Sequence, residues 1–227
     1  MKAIAVITMF IDHYAMILLP HVQSAMEPLF FVGQKAYSLY TILRLIGRIA
    51  FPLYGFLLAE GYTHTRSKKN YGSSLLIFAV VSEIPWNLAH NSSFLFSKQN
   101  VFFTLFLGFL GIHVISTFVE EKKEYVKAGL FLMLLFAVSY LLRADYGYVG
   151  FAAILFIYVM RRHKLLRTVI GPALYADPIA VLFGFIFMDL YNGKRGFIKG
   201  KVLKYAFYAF YPVHLLVLYL ITKAVYG

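Results

Sequence analysis

Residues 1–20, MKAIAVITMFIDHYAMILLP, place Asp12 and His13 in the middle of an otherwise apolar run. Between Ala3 and Pro20 the only other polar side chains are Thr8 and Tyr14. Such a run is long enough to cross a bilayer as a helix. An Asp at the centre of hydrocarbon costs roughly 2.5–3.5 kcal/mol on insertion scales, so it needs a partner or a task. Neighbours in sequence sit about 100° apart on a helix, so Asp12 and His13 cannot pair with each other. They must meet different groups: the expectation is a cavity for His13, and an arginine or a polar network for Asp12.

The rest of the chain extends that reading. Of its 227 residues 61% are hydrophobic and 14% charged, with a mean hydropathy of +0.72. A soluble domain carries nearer a quarter charged residues. The apolar residues come in long blocks, so the fold class is an all-α, polytopic transmembrane helix bundle forming a single domain over 1–227. The first apolar run is read as a retained helix and not a secretory signal, because Asp12 and His13 interrupt it and further spans follow. The absence of cysteine excludes disulfides, Cys-based zinc sites and a thiol nucleophile.

Helices are expected at 3–19, 37–62, 71–89, 101–119, 126–142, 146–160, around 165–190, and at 205–222. Lys2, Arg66, Lys68, Lys69, Lys122, Lys123, Lys127, Arg161, Arg162, Lys164 and Arg167 all fall in loops on one side. Under the positive-inside rule that side, with the N-terminus, is cytoplasmic, in a bacterial inner membrane. The same pattern accounts for the net charge of +12 without nucleic acid. Lys194, Arg195, Lys199, Lys201 and Lys204 break the alternation unless the segment near 165–190 enters and returns. Asp177-Pro178 would break a helix there, and the count of spans is eight or nine.

The polar residues at membrane depth are the candidates for function. Arg44 and Arg48 stand inside the second span at i,i+4 spacing, which puts them on one helix face. They either bind an anion or pair with Asp12 or Glu83. Glu60 and His64 are also i,i+4; a carboxylate there would fix the imidazole's tautomer. Tyr208, Tyr211 and His214 share a face of the last helix, with His214 mid-membrane. Lys2 lies three turns before His13. No two histidines have metal-ligand spacing on one helix and no HExxH is present, so no metal is expected. Phosphate-binding glycine loops are absent. A basic cytoplasmic entrance, buried arginines and deep imidazoles suit an anionic donor from the cytosol and proton transfer inside the membrane. An ion-coupled transporter uses the same residue types and is the alternative. An assembly factor without chemistry is a third.

The blocks ITMFIDHYA, LRLIGRIAFPLYGFLLAEGYTHTR, YGSSLLIFAVVSEIPWNLA, NVFFTLFLGFLG, ADYGYVGFAAIL, LYNGKRG and FYAFYPVHLLVL, in this order, resemble the TraX family of bacterial membrane proteins. That family takes its name from the acetylase of conjugative pilin, and it resembles the broader membrane acyltransferase superfamily. The resemblance implies acetyl-CoA as acyl donor and an amine or hydroxyl (a peptide N-terminus or a sugar) as acceptor. His13 matches the superfamily's essential histidine; Lys2 stands where an arginine serving the donor would be, keeping the charge without the bidentate fork. YGSSLL lacks an expected basic residue near its helix start, and Trp86-Asn87 replaces an expected Phe-Asp. These departures point to a divergent member whose acceptor need not be pilin. The expected site is then His13, Asp12 and His214 for catalysis, with Arg44, Arg48, His64, Arg66 and Lys2 binding the donor. Glu83, Glu60, Tyr211 and Asn192 would support them.

Overall fold

The computed structural model describes residues 1–91, 94, 98–193 and 200–227. Among the described residues eleven α-helices dominate. They are α1 (Lys2–Leu18), α2 (Gln23–Met26), α3 (Leu39–Gly47), α4 (Ala50–His64), α5 (Lys68–Asn91) and α6 (Val101–Val114). After them come α7 (Tyr125–Leu141), α8 (Gly147–Val159), α9 (Lys164–Ile170), α10 (Pro178–Asp189) and α11 (Lys201–Tyr226). Two short strands, β1 (Pro28–Val32) and β2 (Lys35–Ser38), form an antiparallel hairpin. Among the described residues five helical stretches are long and apolar enough to cross a membrane: Lys2–His21, Leu39–His64, Lys68–Asn91, Val101–Glu121 and Val202–Tyr226. The chain is therefore a multi-pass membrane protein.

Several boundaries differ from expectation for local reasons. The helix expected over 37–62 begins with a strand and is interrupted at Arg48-Ile49. Pro52, in the first turn of α4, has no N–H to offer the Arg48 carbonyl, which weakens the helical ladder at this point. The hairpin was unforeseen; its turn is Gly33-Gln34, where Gly33 takes φ +61°, the conformation glycine supplies in tight hairpins. Helix α5 starts three residues earlier than expected, so Lys68 and Lys69 occupy its first turn. The break at Asp177-Pro178 falls where expected, with Pro178 opening α10. At 12 residues α10 spans about 18 Å, well under a bilayer core. Of the basic loop after α10, residues 194–199 and the Lys201 side chain lie outside the described set.

The chain divides into two compact units. The first comprises Met1–Leu53, Ile84–Leu95 and Asp177–Gly227. In it α1 packs against α3 and α11. The buried face of α1 runs through Ala5, Thr8, Met9 and His13, and that of α11 through Tyr211, His214, Leu215 and Leu218, each at the three- and four-residue spacing of a packed helix. Gly47 lets α3 approach α1: a Cβ there would overlap the Asp12 side chain. Gly47→Ala should therefore destabilise the protein by about 1–3 kcal/mol, read as a lower unfolding midpoint in detergent. A neutral effect would show that α1 and α3 do not touch at this point.

The second unit comprises Tyr54–Glu83 and Phe96–Ala176. Here α6 packs on α7 and α8, and α7 on α8. Gly108 and Gly111 face Ile154 and Phe151 of α8, close enough that a Cβ at either would collide. Small residues permit such approach where helices meet inside a membrane. Asn100 caps α6 by accepting from the Phe102 N–H, and it is fully buried. Its amide also donates to the Ala79 carbonyl (2.7 Å) and to Glu83 Oε2 (2.5 Å). Past Val114 the helix widens into a π-helical stretch, Ile115–Glu121.

Candidate active site

The site is built on α1 and α11. His13 is 6% exposed and His214 5%. Their rings stack with centroids 4.9 Å apart, and His13 Nδ1 lies 2.7 Å from His214 Nε2. His214 Nδ1 lies 2.6 Å from the Phe210 carbonyl oxygen, one turn back on α11. A carbonyl only accepts, so His214 Nδ1 carries the proton and donates it. In the neutral ring Nε2 is then the acceptor, and His13 Nδ1–H donates to it. The remaining nitrogen, His13 Nε2, is left with its lone pair. The chain carbonyl–imidazole–imidazole thus selects the tautomer in which His13 can accept a proton. Tyr211 meets both rings edge-on, at 5.7 Å from His13 and 5.8 Å from His214. Phe10 and Phe210 pack against His214 at 6.1 and 4.7 Å.

One residue earlier on α1, and turned away as helix geometry demands, Asp12 Oδ2 accepts from Arg44 Nη1 at 2.6 Å. The pair is partly buried, with side chains 15% and 20% exposed. Asp12 Oδ1 is buried and finds no hydrogen-bond donor among the described residues. Arg48 lies 3.5 Å from Asp177, with both side chains about one third exposed. Both arginines are thus engaged by carboxylates.

The expected residues therefore separate into groups. His13, His214, Tyr211, Asp12, Arg44 and Arg48 share the first unit, as does Lys2, which is exposed near the start of α1. Glu83 belongs to the second unit, where its Oε2 accepts from the Asn100 amide. Glu60 and His64 do approach, but at 3.8 Å and on an imidazole 73% exposed. The His64 Nδ1–H is directed at the Glu60 backbone carbonyl, 2.9 Å away, so the backbone and not the carboxylate sets the tautomer. Arg66 is exposed beyond α4, and Asn192 is exposed in the turn after α10. Among the described residues no group of three or more His, Cys, Asp or Glu could hold a metal.

Sequence reasoning missed two participants, the Phe210 carbonyl and Asp177, and a neighbouring imidazole on α5. The Phe210 carbonyl has no side-chain signature. Asp177 was legible only as a helix breaker. His90, whose Nδ1–H meets the Trp86 carbonyl at 2.9 Å with its ring 3.5 Å from the indole, lies four residues past that Trp on one helix face. The i,i+4 spacing of Trp86 and His90 was the available signal.

The model of the family described as TraX protein matches residues 1–222. A curated relative from Dichelobacter nodosus, a probable fimbrial assembly protein FimC of serogroup H1, is 29% identical over 248 residues, covering 96% of this chain and 92% of its own length. No solved structure matches the chain.

Proposed function

The chain belongs to the TraX family, and from that premise we propose that it is a membrane-embedded acetyltransferase. It moves an acetyl group from cytosolic acetyl-CoA to an amine or hydroxyl, with His13 as general base. The observation that carries this reading is the relay from the Phe210 carbonyl through His214 to His13, which leaves His13 Nε2 unprotonated. A buried imidazole held in one tautomer by a second group is the arrangement general-base catalysis requires. The acceptor gives its proton to His13 Nε2 as its nitrogen or oxygen attacks the thioester carbonyl carbon. The C=O electron pair moves onto oxygen, then returns to expel the CoA thiolate, which takes the proton from His13. His214 shares the positive charge on His13 through the Nδ1–H bond, and Arg44, oriented by Asp12, faces the developing oxyanion.

The fimbrial name of the D. nodosus relative supports a polypeptide amine as the first acceptor to examine. The loop charges support an inner-membrane location with a cytoplasmic N-terminus, and eight crossings would require α7, α8 and the 12-residue α10 to cross as well as the five long stretches. The test is CoA release from acetyl-CoA by the purified protein, screened against peptide amines and sugar hydroxyls. Acceptor-dependent release supports the enzyme. If no acceptor releases CoA and acetyl-CoA does not bind, the acyltransferase reading fails and substrate flux in liposomes is the next assay.

A further inference from the structure

The second unit carries a groove of about 350 Å³ between α5 and α6. Along α5 it is lined by Lys69, Gly72, Ser73 and Leu76, and along α6 by Phe106, Phe109, Leu110 and His113. Both sets follow the i, i+3, i+4, i+7 spacing of one helix face, so the groove runs parallel to the two helix axes for about 10 Å. It is polarised. Lys68, Lys69 and His113 stand at one end, while Leu76, Phe106 and Leu110 line the other.

The basic end is held in place. Lys68 donates to the Tyr62 carbonyl and lies 3.9 Å over the Tyr62 ring. The Tyr62 hydroxyl is 2.8 Å from His113 Nδ1. Lys69 is exposed at the first turn of α5, where a membrane-spanning helix enters the headgroup layer. The other end points along the helices toward their middle, where only hydrocarbon groups are offered.

We propose that this groove binds an acidic phospholipid, with the headgroup phosphate on Lys68, Lys69 and His113 and an acyl chain along Leu76, Phe106 and Leu110. A nucleotide or free phosphate would satisfy the basic end and leave the apolar half unfilled; an anionic amphiphile satisfies both. A lysine near a membrane surface contributes about fivefold to acidic-lipid affinity.

Native mass spectrometry of the detergent-purified protein, titrated with phosphatidylglycerol or phosphatidylcholine, tests it. The wild type should bind phosphatidylglycerol at least fivefold more tightly. Lys69→Gln should remove most of that preference, and Leu76→Trp, which fills the apolar half, should weaken both lipids. Lys127→Gln, an exposed lysine on α7, should change neither. Equal binding of the two lipids, or indifference to Lys69→Gln and Leu76→Trp, would overturn the proposal. So would displacement of the lipid by inorganic phosphate or CoA, which would assign the basic end to a soluble phosphate ligand. Lipid retention is read without turnover, so the outcome is independent of whether the chain transfers acetyl groups.

Discussion

His13→Gln should lower acceptor-dependent CoA release by about 10²–10⁴-fold, the usual contribution of a positioned general base. Glutamine keeps the volume and can still donate to His214 Nε2 across the 2.7 Å contact, so the helix packing survives while the base is lost. The companion variants make the result diagnostic. His214→Gln retains an oxygen that can accept from His13 Nδ1–H, holding the His13 tautomer without sharing its positive charge; its loss should be smaller than that of His13→Gln. His214→Leu removes the acceptor altogether, strands a buried N–H, and should cost more than His214→Gln. A structural role for His214 would move stability and not this ordering. Activity abolished in His214→Gln but kept in His13→Gln would shift the base to α11. Full activity in both would remove the imidazole pair from the chemistry.

The second large effect is on stability. Arg44→Met leaves the Asp12 carboxylate buried, with Oδ1 already lacking a donor among the described residues. Removing one member of such a pair costs about 3 kcal/mol, because the surviving charge stays desolvated. The double variant Asp12→Asn with Arg44→Met should recover most of that loss, since neither charge then remains. Arg48→Gln, by contrast, breaks a contact whose two side chains are each about one third exposed, and should cost under about 1 kcal/mol. Chemical unfolding in a single detergent would rank the variants. No recovery in the double variant would mean that Arg44 stabilises the bundle through something other than Asp12. Activity separates a further role: if Arg44 faces the oxyanion, the stable double variant remains inactive.

The membrane class was legible because it depends on summed composition and on the length of apolar blocks, which need no knowledge of packing. So were the break at Asp177-Pro178, which is a property of the proline ring, and the separation of Asp12 from His13, which follows from helix geometry. That Asp12 would find an arginine was one of two open choices, because the cost of a lone charge in hydrocarbon names the need and not the partner. Pairing across distant segments had no such local rule. His13 and His214 are 201 residues apart, and nothing along the chain specifies that α1 lies against α11. The same holds for Glu83, which meets the buried Asn100 amide within its own unit, and for the groove of α5 and α6, which exists only because two faces of equal period are packed side by side. Sequence determined which groups could not be left alone in the membrane; tertiary packing decided which of them met, because hydrogen bonds and ion pairs depend on distances of a few ångströms that only the assembled helices set.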